Sequence, residues 1–368
     1  MGEPAAYDVA IAGGGPAGAA CATLCAEAGL RTLVLEKSVF PRDKVCGDCL
    51  NPGCWPVLGQ LGVAEQVLAA PHSRIVSVAF AGAAGRRVAL PIDAGEIAIT
   101  RRVLDAILLR RSAEAGAEIC QDRTLRALSR EAGGPWRIEA GDRIFAARRL
   151  VAADGRNSTV SRLLGVAPAA RRDRVGLQAH VPASACQVGR AGPAGLASGI
   201  ELHLLPEGYC GVAPVGDGVT NFCLVATADR LDALKAAVSE RFAIAAGQDW
   251  RAIAPLERAP VGPLLDGVVY IGDAARVVEP FTGEGIYYAL HSARLAAAHI
   301  VSGSLDQYPA AHAALYRRRL WINRLARWAV THPRAGAILL DAMSAHPASL
   351  RYLVQRVTRG QPAAIATA

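Results

Sequence analysis

Three glycines and one glutamate near the N-terminus have the types and spacing needed to bind a dinucleotide. The glycines follow the pattern Gly13-x-Gly15-x-x-Gly18, and Glu36 comes 18 residues after the last of them. Glycine at these positions permits a sharp turn, a close approach of backbone to a pyrophosphate, and close packing of a helix on a strand. An acid at the end of the next strand can accept hydrogen bonds from both ribose hydroxyls of an adenosine. We therefore expect nucleotide chemistry at this end of the chain.

The flanking sequence predicts the elements that would hold this motif. Residues 7–12 are an apolar, β-prone run, and residues 31–35 form a second run directly before Glu36. The small residues between Pro16 and Gly29 predict a helix, because proline suits a first helical turn and glycine suits a C-cap. The free amides at the N-terminus of this helix would hold a diphosphate. Glycine, proline and nearby charges interrupt the uncharged stretch, which argues against a signal peptide or a membrane helix.

The composition is typical of a globular protein with a large core. Of 368 residues, 52% are hydrophobic and 20% are charged, and the formal net charge is +8. The arginines are spread along the chain, so we interpret the charge as a solvated surface rather than a nucleic-acid site. Nine cysteines without a secretion signal predict reduced thiols in the cytoplasm. Cys46, Cys49 and Cys54 cluster without a nearby histidine, so we expect no bound metal.

Polar turns follow three predicted strands. The loop at 40–48, after the first acid, contains Arg42 and Lys44, which are placed to meet phosphate; a solvated connecting loop is the alternative. Asp154-Gly155 follows a strand predicted at 150–153, and Gly272-Asp273 follows a buried run that begins at residue 268. Periodicity and turn residues also predict a longer series of elements. The helices are expected at 56–70, 101–115, 158–164, 229–246, 308–330 and 334–358, with another ending near 301; the strands are expected at 74–80, 86–90, 118–120, 125–130, 136–140, 143–147, 175–181, 200–205, 209–214 and 219–227.

The three turns, in this order, resemble the flavoprotein superfamily that includes p-hydroxybenzoate hydroxylase, over about residues 5–302. The stretches Lys44-Val45-Cys46-Gly47-Asp48 and Pro280 to Leu290 are similar to its geranylgeranyl reductase-like branch. Gly211 stands where that branch usually has tryptophan, a departure that bears on the isoprenoid substrate. The resemblance implies an α/β fold, with a glutathione-reductase-type, Rossmann-like FAD-binding domain, an inserted β-rich substrate domain and a C-terminal helical segment.

The resemblance also implies the site residues and the cofactors. FAD is the expected cofactor, with NAD(P)H as a transient electron donor. Arg102 would meet the diphosphate, with the adjacent Arg101 as the alternative, and Asp273 would bind the ribitol. Cys46, Gly283 and Gly285 are the expected catalytic positions, because backbone amides near the two glycines would stabilise the reduced ring. The expected cofactor-binding set is Gly13, Gly15, Pro16, Ala17, Gly18, Glu36, Lys37, Arg42, Lys44, Cys46, Gly47, Arg102, Leu125, Asp154, Gly155, Gly272, Asp273, Pro280, Gly283, Gly285 and Ile286.

The elements interleave, so the predicted domains are discontinuous. The FAD-binding domain is expected at 1–73, 99–175 and 262–305, and the β-rich domain at 74–98 and 176–261. A C-terminal helical segment is expected at 306–368. We expect its arginines, Arg317, Arg318, Arg319, Arg324 and Arg327, to form either a solvated face or a surface that contacts an anionic membrane peripherally.

Two enzymatic functions fit this scaffold. The favoured one is hydride transfer from reduced FAD to a carbon–carbon double bond of a hydrophobic isoprenoid or polyketide-like compound. The alternative is a monooxygenase acting on an aromatic, quinone or polyketide-like substrate, since fold does not choose between them. The spacing of Cys49 and Cys54 also suggests a dithiol disulfide reductase, a remote alternative because residues 160–200 lack a second nucleotide turn. A non-enzymatic FAD protein is the fourth possibility. The sequence leaves the oligomeric state open.

Overall fold

A computed structural model describes residues 6–82, 87–171, 174–187, 199–317 and 319–358. This part of the chain forms three sheets: two of eight strands each, called the first and the second sheet below, and a small one of two strands, Ala170–Arg171 and Glu257–Arg258. The strands of the two large sheets alternate in segments along the sequence, and the last four helices follow them. The strands are β1 (Tyr7–Ala12), β2 (Thr32–Leu35), β3 (Cys49–Leu50), β4 (Ser73–Ala81), β5 (Arg87–Ala98), β6 (Glu118–Cys120), β7 (Leu125–Arg130), β8 (Trp136–Ala140), β9 (Arg143–Ala152), β10 (Ala170–Arg171), β11 (Arg174–Pro182), β12 (Gly199–Leu205), β13 (Gly208–Pro214), β14 (Val219–Thr227), β15 (Arg251–Ile253), β16 (Glu257–Arg258), β17 (Leu264–Leu265) and β18 (Val268–Tyr270).

The α-helices alternate with the strands in the first part of the chain and then follow one another. They are α1 (Pro16–Glu27), α2 (Trp55–Gln60), α3 (Ala64–Ala69), α4 (Arg101–Glu114), α5 (Thr159–Leu163), α6 (Leu231–Phe242), α7 (Gly285–Val301), α8 (Tyr308–Arg317), α9 (Leu320–Thr331), α10 (Pro333–Ala345) and α11 (Pro347–Thr358).

The first sheet carries the glycine turn at the end of β1. Its main path runs β17-β18-β9-β1-β2-β6, and all pairs from β18 to β6 are parallel. The long strand β9 also pairs with β8 in an antiparallel meander with β7. In such a sheet the carboxyl ends of parallel strands meet at one edge, which is where ligands bind. The ends of β1, β2, β9 and β18 therefore deliver their turns to one place.

The second sheet runs β15-β11-β14-β13-β12-β4-β5-β3, and only the β12–β4 pair is parallel. Successive side chains of a strand point to opposite faces. On one face, Phe222 and Leu224 of β14 pack against Leu234 and Val238 of α6. The alternate residues face away from α6. Helix α6 therefore covers one face of this sheet, and the opposite face does not contact α6.

Helix α1 is buried on almost every side, which explains its composition. It lies on the first sheet and packs against α7 and α4. Its residues are mainly alanine, glycine and cysteine, so neighbouring backbones approach closely. A Cβ added at Gly18 would lie 1.8 Å from the carbonyl oxygen of Gly13. Only glycine fits there, and the close contact fixes where the helix begins relative to the turn.

The helices at the end of the chain cover the second sheet. Helix α9 contacts β13, α10 contacts β12, and α11 contacts β5. Within the described ranges, no helix is long and apolar enough to cross a lipid bilayer. Arg319 and Arg327, predicted to lie on an exposed basic face, instead pair with buried glutamates, while Arg317 and Arg324 are exposed. Arg318 lies outside the described residues, as do residues 1–5, 83–86, 172–173, 188–198 and 359–368 of the predicted elements and domains.

Several predicted elements are divided or merged in the structure. The helix expected at 56–70 is two helices, because Gly62 adopts a φ of +72° between them. The strands expected at 143–147 and 150–153 are one strand, β9, whose two halves pair with different neighbours. The two helices expected after residue 308 are four. Strand β3 falls in the range predicted for the FAD-binding domain but pairs with β5 of the second sheet.

Candidate active site

The glycine turn lies at the carboxyl end of β1, as its sequence predicts. Gly13 has a φ of +100°, and a Cβ there would lie 2.6 Å from the carbonyl oxygen of Ala153. Helix α1 begins at Pro16, one residue after Gly15 in extended conformation. Gly15 faces a cavity, as do Pro16 and Ala17. The arrangement leaves the helix N-terminus accessible to an anion, which backbone amides and the helix dipole favour.

Glu36 closes the second side of this turn. It follows β2 directly, is buried, and lines the same cavity. Its Oε2 accepts a hydrogen bond from the backbone N–H of Gly14 at 2.7 Å, and its Oε1 accepts one from Ser38 at 2.9 Å. These bonds orient a charged carboxylate at the strand end. An ionised acid held there has acceptor capacity left for ribose hydroxyls.

A buried ion cluster holds the loop that follows Glu36. Arg101 binds Asp105 through two hydrogen bonds of 2.7 Å, and Asp105 is fully buried. Arg42 reaches the same carboxylate from the loop, with Nη1 at 3.1 Å from Oδ2. Arg42 also stacks on Phe40, with 4.4 Å between its guanidinium carbon and the ring centroid. Two guanidinium groups therefore share one carboxylate, so this part of the cavity wall carries net positive charge.

The prediction for Arg102 does not agree with this geometry. Its side chain is half exposed, pairs with Asp43 at 3.7 Å, and lies outside the cavity. Arg101 lines the cavity instead. The sequence signal that favours Arg101 over Arg102 is its spacing of four residues from Asp105, because residues four apart on a helix share a face and can form an ion pair.

Further charged groups gather where β9 and β18 end. Asp273 accepts a hydrogen bond from Arg156 at 3.3 Å, and both line the cavity beside Lys44. Burial, together with the neighbouring Arg101, lowers the pKa of Lys44 to about 8. Asp154 accepts backbone hydrogen bonds from Thr159 and Val160 at the start of α5. It therefore caps that helix, while Gly155 with a φ of +80° turns the chain into the cavity.

The segment before α7 forms the far wall. Gly283 adopts a left-handed φ of +67°, and α7 begins at Gly285. Between them, Glu284 is fully buried and pairs with Arg319 at 3.0 Å. Burial raises the pKa of Glu284, although Arg319 opposes the shift. Residues 279–284 are called the 279–284 loop below; its Gly283 faces the cavity, whereas its two acids, Glu279 and Glu284, are fully buried and do not line it.

Helix α9 and the second sheet hold the same loop from its other end. Glu279 is fully buried and accepts hydrogen bonds from Arg174 at 2.8 and 3.2 Å. Arg327 of α9 lies 3.4 Å from Glu279 and 2.7 Å from Glu257. Asn323 accepts a hydrogen bond from the backbone N–H of Glu279 at 2.9 Å. The position of the loop therefore depends on the C-terminal helices.

Cys46 sits at the floor of the cavity on a polar network. Its carbonyl oxygen accepts hydrogen bonds from Gln178 at 2.7 Å, from Asn221 at 3.0 Å and from the Cys223 thiol at 2.9 Å. Burial raises the pKa of the Cys46 thiol. The thiol therefore stays protonated at neutral pH. Cys49 and Cys223 also line the cavity, whereas Cys54 is buried away from it.

Asp48 anchors this network although the sequence prediction did not include it as a site residue. It is fully buried and has a φ of +58°. Its Oδ2 lies 2.7 Å from Nε2 of His180 and accepts a hydrogen bond from Gln178 at 3.2 Å. Burial raises the pKa of Asp48, against the opposing effects of His180 and Arg101. A strained, buried acid next to the cavity is typical of a functional region.

The cavity that joins these parts has a volume of about 560 Å³ and two unlike halves. One half holds the glycine turn and the charged groups. The other half runs between the second sheet and the C-terminal helices and is almost wholly apolar. Its wall includes Val78, Phe80, Ile92, Ile200, Leu202, Leu204, Leu325, Leu339, Leu353 and Val354.

Most of the predicted site residues meet at this cavity. Besides those already described, Lys37, Gly47, Leu125, Pro280 and Ile286 line it. Gly18 and Gly272 do not; Gly18 packs α1 on the turn, and Gly272, with a φ of +56°, packs near Ala17. Their contacts with a cofactor remain predictions. The dithiol hypothesis finds no support in this geometry, since Cys49 lines the cavity and Cys54 does not.

The polar half fits an adenine dinucleotide with a flavin ring. Glycines at the turn leave room for a diphosphate, and Glu36 is placed for a ribose. Arg156 has two buried nitrogens, Nε and Nη1, without a hydrogen-bond partner among the described residues, which suits an anionic or carbonyl-rich ligand. Left-handed Gly283 and the N-terminus of α7 present backbone amides at the far end. Fold and site together define an FAD-binding flavoprotein.

Comparison with known proteins gives the family. The chain belongs to the FAD binding domain family, which matches residues 6–302. It is 30% identical over 363 residues to menaquinone reductase of Mycolicibacterium smegmatis, covering 89% of this chain and 85% of that one. It is 30% identical over 307 residues to geranylgeranyl diphosphate reductase of Rhodobacter capsulatus, covering 79% of this chain and 74% of that one. The protein is an FAD-dependent oxidoreductase, and the predicted family, fold class and FAD are confirmed.

A solved structure agrees on the fold. A triple mutant of a flavin-dependent brominase superposes with a TM-score of 0.78 at 21% identity, covering 97% of this chain and 96% of that one. At this identity the likeness establishes architecture and leaves the reaction open.

Proposed function

We propose that this flavoprotein is a reductase that saturates a carbon–carbon double bond of a long, apolar compound of the polyprenyl class. When bound, reduced FAD supplies a hydride. The observation that carries the proposal is the apolar half of the cavity, which opens directly into the polar half where the cofactor is expected. A site of this shape buries a hydrocarbon chain and presents one of its bonds at the boundary.

The composition of the apolar half supports a hydrocarbon rather than a small polar ligand. Its walls come from β4, β5, β12 and β13 of the second sheet and from α9, α10 and α11. Gly211 lines it, and a Cβ there would still be 3.5 Å from Leu202, so this position leaves space open. Burial of each methylene group contributes about 0.8 kcal/mol to binding. A chain of several isoprene units therefore gains affinity from length alone.

The residues of this chain have defined tasks in such a reaction. Arg101, Arg42 and Glu36 hold the dinucleotide, and the 279–284 loop places backbone amides at the reacting end. The helices α9 to α11 cover the apolar half and exclude water from it. Exclusion of water protects a reactive reduced cofactor and strengthens nearby electrostatic interactions. The names of two relatives, menaquinone reductase and geranylgeranyl diphosphate reductase, support a reductase acting on a polyprenyl compound.

The test is a half-reaction under anaerobic conditions. The purified FAD-loaded protein is reduced with dithionite and mixed with geranylgeraniol or menaquinone, and flavin absorbance and product saturation are followed. The proposal predicts reoxidation of the flavin with one saturated double bond per two electrons, and no need for oxygen. Reoxidation only in air, with substrate-dependent oxygen consumption and an oxygenated product, would favour a monooxygenase.

A steric variant tests whether the apolar half is the substrate site. Ala326 of α9 lines the cavity, whereas Ala314 of α8 is exposed. Ala326→Phe should raise the KM for a polyprenyl substrate at least about tenfold, because the added ring takes space from the chain. FAD content should stay unchanged. Ala314→Phe is the matched control, and equal KM values in the two variants would place the substrate elsewhere.

We also propose NAD(P)H as the electron donor, which visits the site transiently. Lys44 and Arg156 leave the polar half electropositive near Gly155. An anionic nicotinamide nucleotide would be attracted to this wall. Stopped-flow mixing of oxidised protein with NADPH or NADH should bleach the flavin with saturation kinetics. Failure of both donors, with normal reduction by dithionite, would indicate a protein donor.

The outer surface of the last helices suggests a peripheral contact with an anionic membrane. Trp321 and Trp328 of α9 are 46% and 44% exposed, Ile338 of α10 is 70% exposed, and Arg324 lies beside them. Aromatic and basic residues on one surface favour an anionic interface. The protein should sediment together with vesicles of phosphatidylcholine and phosphatidylglycerol. The double substitution Trp321→Ala and Trp328→Ala should lower the fraction of protein that sediments with them several-fold. Val39→Ala, at another exposed apolar site, is the control.

A further inference from the structure

Glu96 is an acid placed in the apolar half of the cavity. It belongs to β5 and lies opposite Ile75 of β4. The pairing of β5 with β4 is irregular just before Glu96. Ser77 lies opposite Pro91 and Ile75 lies opposite Glu96, so residues 92–95 form a bulge in β5. Bulges of this kind re-aim a side chain and are frequent beside active sites. Glu96 lies directly after this bulge and lines the cavity.

One oxygen of the carboxyl group lacks a hydrogen-bond partner in the described part of the chain. Only 6% of the Glu96 residue is exposed, and its Oε2 has no hydrogen-bond partner among the described residues. Burial of an unpaired carboxylate is strongly unfavourable. Burial accordingly raises the pKa of Glu96 to about 7. A carboxyl group with this pKa exchanges between its protonated and ionised forms near neutral pH, so it can both hold a proton and release it.

The neighbours of Glu96 connect it to the end of the cofactor cleft. Cys49 and Cys54 are the titratable groups that feel its charge, and burial raises the pKa of both thiols. Cys49 also adjoins the 279–284 loop, since a Cβ added at Gly283 would lie 3.9 Å from the Cβ of Cys49. Cys49 thus lies between Glu96 and the 279–284 loop, whose backbone amides are expected to face the flavin. Glu96 is a stronger acid than either thiol.

We propose that Glu96 is the proton donor for saturation of the substrate double bond, an inference that rests on the proposed reductase function. The π bond of the alkene breaks, one carbon takes the proton of the Glu96 carboxyl group, and the other takes a hydride from the reduced cofactor. Glu96 becomes a carboxylate and regains a proton from solvent between turnovers. The two new C–H bonds and the two-electron oxidation of the cofactor balance.

The test compares Glu96→Gln with Glu201→Gln. Glutamine keeps the shape of glutamate and removes its acid. Glu201 is a mostly buried carboxyl of the same sheet that pairs with Arg87 and His203 and does not line the cavity. With geranylgeraniol, Glu96→Gln should lower kcat roughly 100-fold or more with little change in KM. Wild-type kcat should fall as the pH rises through about 7, and the variant should lose this limb of the profile. Glu201→Gln should keep both rate and profile.

A second measurement follows the acid without turnover. The pKa of Glu96 in the folded chain lies above the value near 4.3 of an unfolded glutamate, so ionisation opposes folding. Wild type should therefore lose stability relative to Glu96→Gln as the pH rises from about 4.3 to 7, measured by thermal unfolding of the FAD-loaded proteins. Infrared difference spectra of wild type should show a protonated carboxyl that titrates in this window and is missing in the variant.

The outcomes separate the two ideas. Wild-type protein that saturates the olefin while Glu96→Gln matches its kcat and pH profile would overturn the role of Glu96 alone. Wild-type protein that never saturates an olefin under anaerobic conditions would overturn both the reductase function and the proton donor. A variant with normal FAD content, lost turnover and lost titration would support both.

Discussion

The ion pair between Arg319 and Glu284 makes a sharp test of how the C-terminal helices support the site. The two groups are 3% and 0% exposed, and Arg319 Nη1 lies 3.0 Å from Glu284 Oε1. Arg319 also covers the ring of Tyr287 at 4.5 Å and donates to the carbonyl oxygen of Val357 at 3.2 Å. Arg319→Met keeps most of the apolar stem and removes the charge. Glu284 would then be a buried acid without its cation.

The expected loss of stability follows from that unpaired charge. Removal of one partner of a buried ion pair typically costs about 3–5 kcal/mol, whereas replacement of both partners by neutral groups is often nearly neutral. We therefore expect Arg319→Met to lower the free energy of unfolding by about 3 kcal/mol at pH 8. The double variant with Glu284→Gln should recover about half of this or more, because no buried charge remains.

The loss of stability in Arg319→Met should depend on pH, and its sign follows from the pKa of Glu284. Burial already raises the pKa of Glu284, and Arg319 opposes that shift, so removal of Arg319 raises the pKa further. A group with a raised pKa in the folded state contributes stability that is lost as the pH rises. The deficit of Arg319→Met against the double variant should be small near pH 4.3, the unfolded value for glutamate, and full at pH 8.

Denaturant unfolding of the FAD-loaded proteins at pH 5 and pH 8, with FAD dissociation rates measured alongside, is the assay. FAD should leave Arg319→Met faster than wild type, since Glu284 stands between Gly283 and Gly285. Arg324→Met, an exposed arginine of the same helix, should behave like wild type. A deficit that is equal at both pH values, or a double variant no more stable than Arg319→Met, would refute this account of the ion pair.

Three further predictions concern the cofactor and the thiols. Glu36→Ala should weaken FAD binding by about 1–3 kcal/mol through lost hydrogen bonds to a charged carboxylate, measured by fluorescence titration of the apoprotein; an unchanged dissociation constant would remove Glu36 from the site. Arg101→Ala should deplete flavin more than Arg102→Ala, because only Arg101 lines the cavity; the FAD-to-protein absorbance ratio decides, and the reverse order would restore the original prediction. Cys46→Ala should lower olefin reduction while Cys54→Ser leaves it unchanged, since Cys54 lies away from the cavity; loss of turnover only with Cys49→Ser and Cys54→Ser would support a dithiol enzyme.

The nucleotide half of the molecule could be predicted because its constraints are local. The turn at Gly13 needs a left-handed residue, Gly18 needs the absence of a Cβ, and Glu36 must follow the next strand. Each constraint requires one particular residue type, and the constrained positions lie close to one another in the sequence. The fold class and FAD followed from these positions together with the two later turns.

The walls of the site could not be predicted in the same way, because they depend on contacts between distant parts of the chain. Glu279 meets Arg174 across 105 positions, and Asp48 meets His180 across 132. A charged residue in an apolar stretch does not reveal its partner. The place of Glu96 at the cavity is equally hidden from the sequence, since it lies beside a bulge in the pairing of β4 and β5. For the same reason the sequence suggested an exposed face for Arg319 and Arg327. In the structure they form ion pairs with the buried Glu284 and Glu279.

The thiols around the cavity have a consequence for the lifetime of the enzyme in air. Reduced flavins release hydrogen peroxide when they meet oxygen, and peroxide attacks the thiolate form of cysteine. Burial raises the pKa of Cys46, and it raises those of Cys49 and Cys223 well above the ordinary value. These sulfurs therefore remain thiols at neutral pH and should form sulfenic acid slowly. Three cysteines beside a source of oxidant can thus persist through many turnovers without repair.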